Sequence, residues 1–434
     1  MSNRYHQINP TQNNASFSYN EGRPVITFSI PEQEAILLPR SVRFCGQFSA
    51  YTNANRDISA GDNLRMDSKL GLWSIIDQLV ISTNRSHQTI EHLRFANRMY
   101  STFFSTTSDE KNLIGSFGET GLSLPSIEGQ MDSVIKDSSA TASDNANEFC
   151  MHLPSGVLSG TSGIPLSAQN GIGGMEISVH LSPSSAVLFD NAGDATANDL
   201  LGAFYEVFNC KLIFETHTPT AKELSSMSQG GSLEYNSFNG FYQTINSTNA
   251  DINFSLGLSK VSSVFMNFIP ASHINNLNQN SMSTLIPTRA TGQIADLSQC
   301  IFTKSGIRYP LSYNIDTAYK NDNAQTQVDP QIIRNAMNAI IPFQKITHTL
   351  LSPVNTNKNW SGNDNAIQQG GINYSVGVAY DTVGSESGGG NFMNDAWGVQ
   401  MNLGLTDNNP IACYIFVHAK QTLMYKNGQV NIIQ

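Results

Sequence analysis

Catalysis needs particular side chains gathered at one point, and the candidates in this sequence are few and scattered. Glu176 and Asp381 lie on the polar sides of alternating segments, where two carboxylates brought together could serve as the acid and base of a glycoside hydrolase. A single carboxylate on such a face is ordinarily just solvated. Trp360 sits in a polar loop, where its indole could stack on a sugar, whereas Trp73 and Trp397 fall inside apolar strand patterns and read as core. His87 and His92 are the only histidines near metal-ligand spacing, but near a helix start that spacing does not aim them at one point. Asp322, Asn323 and Asp329 offer oxygen ligands without the Gly and terminal Glu of an EF-hand loop. The five cysteines (Cys45, Cys150, Cys210, Cys300, Cys413) are odd in number and contain no Cys-x-x-Cys pair, which argues against a disulfide framework or a zinc site and for a reducing assembly compartment. The sequence has no Gly-x-Gly-x-x-Gly opening a helix, no Walker A lysine, no His-Glu-x-x-His and no Gly-x-Ser-x-Gly elbow. Gly171 to Gly174 and Gly388 to Gly390 read as turns. No catalytic, cofactor-binding or metal residue is therefore expected.

The elements that would have to position such residues are better marked. Only 13% of the 434 residues are charged, against roughly a quarter in an average soluble domain, and Asn and Ser each supply about a tenth. Hydrophobic residues make up 39%, too many for disorder, and the Asn/Ser/Gly bias is not that of a helical bundle. A net charge of -10 argues against a nucleic-acid surface. Arg40 and Arg43, then Arg85, Arg94 and Arg98, are interspersed with acidic residues and read as ordinary surface. No run approaches the roughly 18 apolar residues that span a bilayer, and the N-terminus lacks the apolar stretch of a signal peptide. A soluble product, not secreted by the usual route, is expected.

Period two dominates, as in strands with one buried face. Ile26, Phe28 and Ile30 alternate with polar residues, as do Val42, Phe44 and Phe48; Met175, Ile177, Val179 and Leu181; Ile252, Phe254, Leu256 and Leu258; Ile372 to Tyr380; and Trp397 to Leu405. Leu72 to Ser82, Ala203 to Thr216, Val261 to Ile269 and Ile411 to Ala419 are apolar on both faces, as in strands covered on both sides. Asn427-Gly428 predicts a hairpin joining Thr422–Lys426 to Gln429–Ile433. Helical spacing is confined to Gln88–Phe104 and to a segment with Asp329 as N-cap, Pro330 at N1 and Pro342 as its stop. Two helices cannot connect so many strands in parallel, so antiparallel sandwiches are expected. Long polar loops separate the strands, at 105–147, 190–198, 275–299, 319–328, 355–369 and 384–395. Thr218 to Ser232 reads as a linker between halves that end alike, each with an alternating strand followed by a long apolar one.

Three motifs then carry a resemblance: PVITFSI (Pro24 to Ile30) after a short polar arm, IPL with GGMEISVHL (Ile164 to Leu166, Gly173 to Leu181), and SGIRYPL (Ser305 to Leu311) in the second half. With the length and strand pattern, they make the chain resemble the double jelly-roll major capsid proteins of icosahedral DNA viruses, in particular those of polinton-like viruses and virophages. The resemblance implies an all-β fold of two consecutive eight-stranded antiparallel jelly-roll sandwiches with one or two short helices in inter-strand loops. It implies an N-terminal arm (1–22), a first jelly roll (23–218), a linker (219–232) and a second jelly roll (233–434). The implied role is structural: a homotrimer forming pseudo-hexameric capsomers that tile a virion shell, meeting penton and minor capsid proteins, without enzymatic activity or cofactor. The competing readings are a carbohydrate-binding or carbohydrate-hydrolysing β-sandwich and a viral vertex or spike protein.

Overall fold

The computed structural model describes residues 3–51, 64–66, 70–107, 147–153, 155–190, 202–277, 281–282, 296–309, 315–316, 375–380, 389–404, 410–426 and 428–434. The helix expected at 329–342, the calcium-like group Asp322, Asn323 and Asp329, Trp360, Asp381 and most of the long loops lie outside these residues.

The longer strands of the first half are β1 (Asn3–Ile8), β2 (Val25–Ile30), β3 (Arg43–Tyr51), β4 (Ile76–Thr83), β5 (Thr89–Arg94), β6 (Asn147–His152), β7 (Met175–Leu181) and β8 (Phe204–His217). They pair antiparallel in two sheets, β1–β8–β3–β6 and β2–β7–β4–β5. Two-residue ladders at Ser16–Phe17, Ile36–Leu37 and Ile164–Pro165 extend the first sheet to seven strands. The second half contributes β9 (Gly231–Ile245), β10 (Asn249–Ser255), β11 (Val261–Pro270), β12 (Asp296–Lys304), β13 (Ile315–Asp316), β14 (Ser375–Ala379), β15 (Ala396–Gly404), β16 (Ile411–Lys426) and β17 (Gln429–Ile433). Its sheets run β9–β16–β11–β14 and β10–β15–β12–β13. Among the described residues the labelled strands of the two halves share one sheet order, the first half's labels plus eight giving the second's; the short strands Leu64–Arg65, Phe189–Asp190 and Ile307–Arg308 stand outside this correspondence. β17 is an extra strand, paired from Thr422↔Ile433 to Lys426↔Gln429 as the hairpin pattern predicts.

Alternation fills each sandwich. In β2 and β7 every second residue is buried (Ile26, Phe28, Ile30; Met175, Ile177, Val179, Leu181). They face Phe44, Phe48, Leu212 and Phe214 of the other sheet, and Phe28 meets Phe44 edge-on at 5.9 Å. The second core gathers Ile252, Phe302, Trp397 and Val399 against Val264, Met266, Ile415 and Val417. β11 is buried at every position, as the doubly apolar pattern predicts.

Asn3–Ile8, within the expected N-terminal arm, pairs with Leu212–His217 over six positions, this polar segment satisfying its backbone on the edge of β8. Three expectations need correction. Gln88–Phe104 is not one helix. Thr89–Arg94 is strand, hydrogen-bonded to β4. Phe95 then adopts φ 56°, a left-handed break, and the helix α1 runs only over Ala96–Thr107. Leu72–Ser82 begins as a 3₁₀ turn, Gly71–Ile75, entered through Gly71 at φ 54°. The linker holds a helix, α2 (Ala221–Met227). Its capping box uses Thr220 and Glu223, a Thr-x-x-Glu pattern that satisfies two orphan N–H groups.

Candidate functional site at the seam between the sandwiches

The residues singled out by sequence are not assembled into a site. Glu176 sits half-buried on β7, between Ser29 and Ser82 in register. His92, on β5, contacts Gln78 Oε1 at 3.0 Å, while His87 occupies a turn at φ 50°. Trp73 and Trp397 are core, 6% and 0% exposed. The Gly171–Gly174 cluster is a turn, with Gly173 and Gly174 at positive φ. Among the described residues no group of three His, Cys, Asp or Glu could hold a metal ion.

The concentrated polar chemistry lies instead where β5 and α1 of the first sandwich meet the outer face of the β9–β16–β11–β14 sheet. That face is aromatic. Phe238, Phe265, Tyr414 and Phe416 belong to the same buried cluster as the first sandwich's core; Tyr100 meets Phe238 edge-on at 6.3 Å and Phe95 meets Tyr414 at 5.2 Å. Such edge-on pairs suit the ring quadrupoles.

Polar groups fix the register of this contact. Glu91 of β5 is 2% exposed, and burial raises its carboxyl above the ordinary range. It accepts from Ser155 Oγ, from the backbone N–H of Gly156 at 3.1 Å and Val157 at 3.4 Å, and from Ser237 of β9. The Tyr235 hydroxyl of β9 lies 2.8 Å from the Ile90 carbonyl of β5 and 2.9 Å from the Gln421 side-chain amide. Arg98 of α1 is buried, a correction to its grouping with surface cations. Its guanidinium sits 5.3 Å over the Tyr414 ring and donates to Ser281 Oγ at 3.3 Å, and its carbonyl accepts from Asn267 Nδ2 of β11 at 3.1 Å. Burial lowers its pKa, against the opposing fields of Tyr414 and Asp77.

Two glycines permit this closeness. A Cβ on Gly156 would fall 1.6 Å from the Asn236 carbonyl oxygen, and one on Gly240 would fall 2.4 Å from that of Arg94. What the arrangement can do is hold protein surfaces to one another: rings and most polar groups meet across an interface, while Arg98 Nη1 and Asn267 Oδ1 are buried there without a hydrogen-bond partner among the described residues.

Sequence reasoning missed this site because Glu91 and Arg98 look solvated inside alternating polar positions. The available signal was a carboxylate within Ile90-Glu91-His92-Leu93, followed closely by an arginine among Tyr and Phe.

The sheet order of each half and the structural likenesses agree. The chain is similar to the Faustovirus major capsid protein, at TM-score 0.60 and 11% identity over 98% of this chain and 90% of that one. It is also similar to the Sputnik virophage structure solved by cryo-EM, at TM-score 0.55 and 12% identity over 99% and 88%. The fold is a double jelly roll. A third likeness is to PBCV-1 VP54 fitted into the Sputnik reconstruction, at TM-score 0.54 and 10% identity over 100% and 97% of the two chains. No protein-family model and no curated protein sequence matches. In double jelly-roll terms, the seam joins the two rolls, and β1 pairs with a strand of the first. Among the described residues, no helix is long and apolar enough to cross a membrane.

Proposed function

We propose that the protein is a major capsid protein, a non-enzymatic building block of a virion shell. The observation that carries this reading is the end-to-end double jelly roll, shared with viral capsid proteins over nearly the whole length of each chain. In this reading residues 1–22 are an N-terminal arm, 23–218 the first roll, 219–232 the linker and 233–434 the second roll.

The seam supports assembly as a homotrimer of pseudo-hexameric outline. It joins unlike surfaces: the β5 and α1 side of one roll meets the outer sheet face of the other. The two rolls share one sheet order, so a head-to-tail contact between the second roll of one chain and the first roll of the next is the proposed continuation. Head-to-tail contacts close into rings when the rotation between subunits closes, and three two-roll chains would then make a ring of six rolls. Neighbouring capsomers, penton and minor capsid proteins would then be its partners, and the stretches 108–146 and 275–295, within the loops expected at 105–147 and 275–299, would face outward or line subunit contacts.

Size-exclusion chromatography with light scattering tests the reading. A stable species of three times 47.3 kDa is expected, and a monomer at all concentrations overturns the capsomer. Limited proteolysis is expected to cut within 108–146 and 283–295 in dissociated subunits and to be suppressed in shells; cleavage within β4 or β11 instead would contradict the loop assignment.

A further inference from the structure

Cys45 and Cys150 are far apart in sequence, yet β3 and β6 place them directly opposite one another, in a register running from Arg43↔His152 to Phe48↔Asn147. Directly opposed residues of an antiparallel pair have Cα atoms about 4.5 or 5.5 Å apart. Both values fall within the roughly 4.4–6.8 Å window that a disulfide spans. The two Sγ atoms are already 2.8 Å apart as thiols. Both side chains are half-buried on the outward face of the β1–β8–β3–β6 sheet, while Cys210, Cys300 and Cys413 are buried. Arg43 and Lys211 place positive charge beside the pair, which favours an anionic oxidant such as a glutathione-type disulfide.

We propose that Cys45 and Cys150 form a redox site: a thiol pair preset to close into a cross-strand disulfide when a low-molecular-weight disulfide is available. One cysteine, as thiolate, attacks a sulfur of the small disulfide and expels one small thiol, leaving a mixed disulfide. The second cysteine then attacks the protein sulfur of that bond and expels the other small thiol. Two protein thiols are oxidised, one small disulfide is reduced to two thiols, and the two protons pass to those leaving groups. Burial opposes the first step, since it pushes the Cys45 thiol up to about 12, so closure is slow near neutral pH. Once closed, the bond fastens the edge strand β6 to β3. This inference rests on strand register and thiol placement, independently of the capsid reading.

The test uses the full chain, purified under reduction, then incubated with excess oxidised glutathione, denatured and titrated for thiols. The count is expected to fall from five to three as two are consumed, with the intact mass lower by two hydrogens and a digest containing a Cys45 peptide linked to a Cys150 peptide. Five remaining thiols, a persistent glutathione adduct on either cysteine, or a link between two chains on a non-reducing gel each overturn it. Cys45→Ser and Cys150→Ser are expected to show no internal cross-link. An internal link in either variant, through Cys210 for instance, also overturns the assignment.

Discussion

Gly156→Ala is the sharpest probe of the seam. The added methyl would meet the Asn236 carbonyl oxygen at 1.6 Å, whereas ordinary contact begins at 3.4 Å; the difference is 1.8 Å, and backbone, not a flexible side chain, must move through it. Retreat of the Gly156 loop by that amount stretches its 3.1 Å bond to Glu91 beyond hydrogen-bond range and drags the Val157 bond with it. Overpacking costs about 1–3 kcal/mol, and each hydrogen bond lost to a buried charged group about 1.5–3 kcal/mol. With one such bond lost the expected total is about 2.5–6 kcal/mol, on the order of fiftyfold or more in the unfolding equilibrium. Gly160→Ala in the same loop is the control, since its nearest neighbour would be 3.5 Å away. Denaturant unfolding followed by tryptophan fluorescence and circular dichroism measures both variants. If Gly156→Ala unfolds at the same midpoint as the control, the seam is not held as tightly as argued.

Other expectations concern charge, packing and redox state. The Glu91 carboxyl is raised in the native protein, so its contribution to stability is full below the ordinary carboxylate pKa of about 4.3 and is lost as pH rises through the native value. Glu91→Gln should remove that part of the pH slope, measured as the difference between the two denaturation profiles; identical slopes would exclude Glu91 as its source. Trp397→Ala, at 0% exposure in the second core, should cost about 3–5 kcal/mol and strand the Tyr380 hydroxyl that accepts from its Nε1 at 3.0 Å; a variant as stable as wild type contradicts that core. The oxidised Cys45–Cys150 form, closing a sequence separation of 105, should be more stable than the reduced form by up to about 4.7 kcal/mol, as read from paired denaturation curves.

Much of the fold was legible because alternation needs only one buried face. β2, β7 and β15 were readable from every second residue, and β11 and β16 from unbroken apolar runs. β5 was misread for the opposite reason. It is covered on one side by its own sandwich and on the other by β9, so Ile90, Glu91 and Leu93 are all buried. Two burial faces with a carboxylate among them imitate helical spacing when followed by a true helix. β1 was missed because its residues are mostly exposed and carry no alternation; backbone pairing to β8 holds it. The candidate site was least legible, since Glu91, Arg98, Ser237 and Tyr235 are separated by long stretches of sequence and only the docking of the two rolls gives them partners.

The aromatic outer face of β9–β16–β11–β14 has a consequence for synthesis. Chains emerge N-terminus first, and domains generally fold in that order. The first roll, whose outward sheet face carries Arg43, Gln47 and Lys211, can close while the second is still being made, and it then stands ready beside the exit tunnel. The second roll arrives with Phe238, Phe265 and Phe416 needing cover on the side away from its own core. A first half folded in that order would offer the later one ready cover, within the same chain, for a sheet that is otherwise a sticky surface.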